Sequence, residues 1–205
     1  MGDNHDLPLI VADKGIKRVF AKEENIYKIN SQVTNCYFIL SGAAKIYIDH
    51  MNGRRSILEF AKINDWLGEL SLFGEERDIK ENRVIQEITC LEFDVNELRQ
   101  LCKEDAGVSF YFATYISDKL LSRSYRLSES LNYSLDKRLA AFILQHQQSG
   151  YYEIPHTDAA EYLNVSYRHV LYVMRQFREM GILVKEKKKG YSIVDFDKLK
   201  AIQVI

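Results

Sequence analysis

In the stretch AAEYLNVSYRHVLYVMRQF (residues 159–177), Tyr167, Arg168, His169, Tyr172 and Arg175 recur at helical spacing beside an apolar stripe. Side chains of these types can donate to phosphate oxygens and to the edges of bases. The residues before them fit the steric pattern of a helix-turn-helix. Ala160 is small where two helices would meet closely, and Asn164 stands where the turn needs a left-handed backbone. Val170 would fill the angle between the helices, with Ala159, Leu163, Val165 and Val173 completing the buried set. Ser166 is placed to cap the second helix. An ordinary helix pair can imitate this apolar spacing. The polar face beside a capped N-terminus favours a helix built to enter a DNA groove.

Charge supports that reading. From Ser166 to Lys189, seven Lys and Arg stand against two Glu, in a 205-residue chain whose formal net charge is −1. A basic stripe on a near-neutral chain is the footprint of a polyanion partner. The plainer alternative is a solvated helix face and a lysine-rich turn. The segment ILVKEKKKGYSIV (182–194) reads as a hairpin with Lys187, Lys188, Lys189 and Gly190 at its tip.

Other elements must hold this pair of helices in place. LDKRLAAFILQHQQ reads as a supporting helix, with Ser134 placed to cap it and Ser149-Gly150 to end it. Before it, a helix is expected from about Val108 to Leu131, with no Pro or Gly inside. Ala113, Ile116, Leu120 and Leu127 form an apolar seam on it, interrupted by Arg123 and Ser130. Such a seam needs a cover, and a second copy of the same helix about a two-fold axis is the natural one. Packing back onto the preceding domain is the alternative, and both can hold on different faces.

Residues 16–94 read as short strands: IKRVFA, ENIYKI, CYFIL, AKIYIDH and SILEFA. Asn52-Gly53 is a hairpin signal because both residues tolerate positive φ, and Gly42 is expected to punctuate another turn. Many short antiparallel strands imply a sandwich or a barrel-like roll. VNELRQLC then has helical spacing.

Several function classes fall away. No apolar run reaches membrane-spanning length and MGDNHDLPLI lacks a signal pattern, so a cytoplasmic location is expected. Cys36, Cys90 and Cys102 show no metal-binding spacing and read as packed small hydrophobes, with thiol sensing the minor alternative. No nucleophile–base pair, P-loop, HExxH or dinucleotide fingerprint appears. His156 and Asp158 lie close together, but at a helix start, where capping is the simpler role. An enzyme is not expected.

The order of β-roll, long helix and winged helix-turn-helix resembles the CRP/FNR family of bacterial transcription regulators, from about Ile16 to Val194. KRLAAFIL, HTDAAEYLNVSYRHVLYVMRQF and KKKGYSIV are most similar to its YeiL-type branch. The resemblance implies an α+β chain in three parts. Residues 1–107 would form a cyclic-nucleotide-binding-like β-roll (a jelly roll), 108–132 a dimerisation helix and hinge, and 133–205 a winged helix-turn-helix. It implies a homodimer on double-stranded DNA with a pseudo-palindromic operator, and an activator that touches RNA polymerase. Tyr167, Arg168 and Tyr172 occupy positions that reach base edges in the family. Ser166, His169 and Arg175 occupy positions suited to phosphate, as do the wing lysines 187–189. Tyr167 and Tyr172 replace residues that are commonly Arg, so a different operator is implied.

INDWLGELSLF resembles the family's phosphate-binding cassette and makes Gly68, Glu69, Leu70 and Lys80 the effector-pocket candidates. Gly68 would open a turn whose amides face an anion, and Glu69 matches the acid that accepts from a ribose hydroxyl in cyclic-nucleotide binders. The Arg-Ser/Thr clamp is missing. Lys80, Glu81 and Asn82 stand there, with Arg77 and Arg83 out of register, and a carboxylate beside a phosphate repels it. Cyclic AMP is therefore not the expected effector. The alternative for Gly68 and Glu69 is a purely structural turn, with Glu69 capping local amides. Three cysteines cannot complete a Cys₄ iron–sulfur site, and none of His5, His50 and His146 is singled out as a haem ligand, so the effector stays open. The competing function is a regulatory module whose C-terminal domain binds a protein partner. Such a surface would be apolar where this one reads as polar and basic.

Overall fold

The computed structural model describes residues 7–27, 32–74, 80–187 and 189–203. Packing divides the chain into two compact units, Met1–Ser122 and Arg123–Ile205.

The first unit opens with a short helix α1 (Leu9–Ala12) and strand β1 (Ile16–Phe20). Strands β2 (Asn35–Asp49), β3 (Arg55–Ala61), β4 (Trp66–Leu67) and β5 (Glu81–Asp94) follow, all antiparallel in one sheet. Its order is β1-β5-β2-β3, with β4 also paired to β2. Successive residues of β2 serve two cores, as a period of two requires. Cys36 and Phe38 join Trp66, Phe93, Leu98 and Phe112 on one side. Tyr37 and Ile39 join Phe20, Tyr27, Val84 and Ile88 on the other.

Two strand expectations need correction. Gly42 ends no strand: it lies inside β2, among register shifts against β5. At its φ of +90°, a Cβ would fall 2.0 Å from the Glu87 carbonyl oxygen, so the bulge requires glycine. ENIYKI does not form a strand in its described part, where only Asn25 makes an isolated bridge, to Arg83. Its last residues, Lys28 and Ile29, lie outside the described residues. The β2–β3 hairpin forms as expected, but with a three-residue loop closed by the His50 N–H to the Arg54 carbonyl at 2.8 Å. Gly53 takes the positive φ, while the Asn52 side chain accepts from the Arg54 N–H.

Helix α2 (Val95–Glu104) starts where Asp94 accepts from the N–H groups of Asn96 and Glu97. Helix α3 (Ala106–Asn132) follows, with Asp105 accepting from the Val108 N–H. Its Val108, Phe112 and Tyr115 are buried on the sheet side. Ile116 packs against that same core, so it does not belong to the exposed seam. Once it is removed, the outward residues are Phe110, Ala113, Ser117, Leu120, Ser124, Leu127 and Leu131, all exposed and spaced alternately by three and four. That is a heptad stripe.

The second unit contains α4 (Leu135–His146), β6 (Tyr151–Tyr152), α5 (His156–Leu163), α6 (Tyr167–Glu179), β7 (Leu183–Lys185), β8 (Tyr191–Ile193) and α7 (Phe196–Gln203). Ser134 occupies the N-cap of α4, but its hydroxyl makes no capping bond. Helix α4 ends at His146, before Ser149-Gly150, and those two residues form a positive-φ turn into β6. The strands form a small sheet, β6-β8-β7. No helix among the described residues is long and apolar enough to cross a membrane.

Candidate nucleic-acid interface

Helices α5 and α6 meet through the residues the sequence marks. Asn164 caps α5 at φ 54° and ψ 46°, and the Val165 N–H returns to the Ala160 carbonyl at 3.0 Å. This is the left-handed C-terminal closure that Asn tolerates. Ala159, Ala160, Leu163, Val170 and Val173 are buried, while Val165 is half-buried. Arg138 of α4 donates to the Leu163 carbonyl at 3.0 Å, which satisfies one of the free carbonyls at the end of α5. The Ser166 hydroxyl accepts from the His169 N–H at 3.2 Å, so the expected cap forms and its own O–H stays free to donate.

Val170, Val173, Met174 and Phe177 bury one side of α6. Tyr167, Arg168, His169, Tyr172 and Arg175 all stand exposed, along with Leu171. Arg175 is held by Glu179 at 2.7 Å, an exposed pair one turn apart. Tyr172 accepts from Gln176 at 3.1 Å and keeps its O–H for another acceptor. At the base of the helix, the His156 ring lies 5.5 Å from that of Tyr191 and 6.4 Å from that of Tyr167. Burial, and then the Lys185 charge, hold the His156 imidazole below its ordinary value. Asp158 is buried in the first turn of α5, but the N-cap of that helix is Pro155.

The wing begins where the Glu186 N–H bonds the Gly190 carbonyl at 3.1 Å, and Ser192 donates to Glu186 at 2.5 Å. The Tyr151 hydroxyl donates to the Lys189 carbonyl, anchoring the tip to β6. Lys187 and Lys189 are exposed; Lys188 lies outside the described residues.

The effector-pocket candidates all lie in the first unit. Gly68 has φ +83°, and a Cβ there would fall 2.3 Å from the Tyr27 hydroxyl. Tyr27 itself donates to the Asn35 carbonyl at 2.5 Å. Glu69, in the 3₁₀ turn Glu69–Leu72, is buried and bonded to Lys119 of α3 at 2.9 Å. It therefore caps a lysine rather than local amides. Leu70 and Lys80 are half-buried. At the clamp positions, Glu81 accepts from Arg55 at 2.9 Å, and Arg55 also holds Asp49. Asn82 is buried.

Comparison with known proteins agrees with both halves. Residues 17–105 match the cyclic nucleotide-binding domain, and residues 137–202 match the Crp-like helix-turn-helix domain. The regulatory protein YeiL of Escherichia coli O157:H7 is 33% identical over 89% of this chain and 83% of its own. The chain belongs to the CRP/FNR family. The cAMP-activated global transcriptional regulator Vfr of Pseudomonas aeruginosa is a more distant relative of this CRP/FNR protein, at 22% identity over 88% of each chain. Among solved structures, a Crp/Fnr-family regulator from Eubacterium rectale superposes with TM-score 0.81 at 19% identity, covering 98% of this chain and 99% of that one. FixK2 from Bradyrhizobium japonicum gives TM-score 0.78 at 18% identity, covering 93% and 98%. This CRP/FNR protein is thus a transcription regulator with a helix-turn-helix, from a family of regulators rather than enzymes.

Three cysteines lie in the first unit. Cys36, Cys90 and Cys102 are buried, and burial pushes each thiol up, away from the reactive thiolate. Among the described residues no cluster of His, Cys, Asp and Glu is placed to hold a metal. Sequence patterning did not single out Lys119 or Leu171. Lys119 follows Tyr111 and Tyr115 at helical spacing, a signal visible on α3.

Proposed function

We propose that this regulator acts in the cytoplasm as a homodimer joined through α3 and reads a pseudo-palindromic operator with α6. Tyr167, Arg168 and Tyr172 contact base edges. Ser166, His169, Arg175 and the wing lysines 187–189 contact phosphates. Residues 1–107 form the effector half, 108–132 the dimerisation element and 133–205 the DNA-binding half. The protein raises transcription by touching RNA polymerase, and cyclic AMP is not its effector.

One observation carries this reading: a capped, well-buttressed helix presents Arg168 and Arg175 outward, in the same unit as an exposed lysine-bearing hairpin. Base edges supply sequence information while phosphates supply salt-dependent affinity, and this surface offers groups for both. Two copies related by a two-fold axis would set two such helices about one turn of duplex apart. The test is selection of bound duplexes from a random pool by the full-length protein. An enriched inverted repeat supports the proposal; a pool that stays random contradicts it.

A further inference from the structure

The outward side of α6 carries more apolar surface than a helix that grips only phosphates would need. Tyr167, Leu171 and Tyr172 are 46%, 38% and 59% exposed. Single exposed apolar residues are ordinary, but these three lie within two turns of one helix. Their exposure does not come from an unfilled core, because Val170, Val173, Met174 and Phe177 already fill the buried side. Tyr167 and Leu171 are four residues apart, so the 3.6-residue period stacks them, and Leu171 neighbours Tyr172. Arg168 and Arg175 belong to the same exposed side.

The major groove offers one apolar group to such a surface, the C5-methyl of thymine. We propose that Leu171, flanked by the Tyr167 and Tyr172 rings, reads thymine methyl groups, so that each half-site contains thymine as an obligatory feature beside the base pair read by Arg168. This rests on the proposal that α6 reads DNA. The cations beside the apolar trio favour a duplex as its occupant over an apolar protein surface, because they match the phosphates on either side of the groove. 5-Methylcytosine carries the same group; thymine is the source proposed.

The test uses full-length protein and the operator recovered from the random pool. Each half-site thymine is replaced singly by deoxyuridine, which removes only the methyl. At one or more positions per half-site the wild type should bind about fourfold more weakly, the equivalent of ~0.8 kcal/mol for one buried methyl-sized group. Leu171→Ala should bind the thymine and uracil operators within about twofold of each other, since the contact is already lost, and its unchanged unfolding midpoint should show that the fold persists. At the sensitive position, a 5-methylcytosine–guanine pair should not exceed the thymine pair in affinity; if it does, thymine is the wrong source. If an operator is recovered but uracil is tolerated everywhere, the inference is wrong, and the apolar trio belongs to a protein partner. If no operator is recovered, the DNA-reading proposal fails first and this one with it.

Discussion

The Lys119 ammonium lies 2.9 Å from the Glu69 carboxylate and 3.3 Å from the Trp66 carbonyl. Glu59 stands 3.7 Å away. One helical face of α3 thus grips the cassette turn at three levels, because the Tyr115 hydroxyl accepts from the Trp66 N–H and the Tyr111 hydroxyl from its indole. Burial alone would lower the Lys119 pKa, but Glu69 and Glu59 overcome it and hold the group charged. Replacing Lys119 with Met should leave Glu69 buried without its cation and cost about 3–5 kcal/mol. Adding Glu69→Gln should return most of that loss. Urea unfolding checks both; a single variant within about 0.5 kcal/mol of wild type would show that the pair holds nothing.

The same corner should respond to pH. Asp65 is pushed up from 3.8 to about 6, first by burial and then by Glu59, against the Lys62 N–H bond and the Lys119 charge. Between those two values the folded chain holds a proton that the unfolded chain has released. This contribution to stability is therefore present at low pH and is lost as pH rises from about 4 to 6. Asp65→Asn keeps an acceptor for the Lys62 N–H and should flatten the dependence in that window. A variant that keeps the wild-type slope of urea midpoint against pH would assign the slope to other groups.

Cyclic AMP should bind weakly. The acid that would meet its ribose is committed to Lys119, and Glu81 is paired to Arg55 at the clamp position. Calorimetry should find a dissociation constant weaker than roughly 10 μM, about −7 kcal/mol. A tighter value would mean that both pairs open for the ligand.

The two faces of α3 should separate by mutation. Leu120 and Leu127 are 64% and 62% exposed, whereas Ile116 packs into the first unit's core. Leu120→Glu with Leu127→Glu should give a folded monomer by sedimentation. Ile116→Ala should keep the dimer and lose about 2 kcal/mol of stability. A wild type that sediments as a monomer at micromolar concentration would contradict the dimer.

The helix-turn-helix was the most legible part of the chain. Ala160, Asn164, Ser166 and Val170 act within a few residues of one another, so local sterics and capping are written in local sequence. The Glu69–Lys119 pair was hidden because it joins residues fifty apart, and a lysine on a long helix ordinarily reads as solvated. Ile116 looked like part of the seam because steps of three and four cannot tell two buried faces of one helix apart. Gly42 looked like a turn because a bulge and a turn ask the same backbone freedom of one residue.

The central claim, that α6 reads bases and the wing holds phosphates, is tested most directly by Arg168→Ala and Lys187→Ala. Both are measured on a panel of single-base operator variants at several salt concentrations. Both side chains are exposed, so the fold should survive each change. Arg168→Ala should flatten the preference at one base pair per half-site, losing about 1–3 kcal/mol of discrimination there. Lys187→Ala should weaken all variants alike and lower the salt dependence by about one phosphate per subunit. Equal weakening of every variant by Arg168→Ala would make Arg168 a phosphate contact, and no effect from either change would mean that these helices do not read DNA.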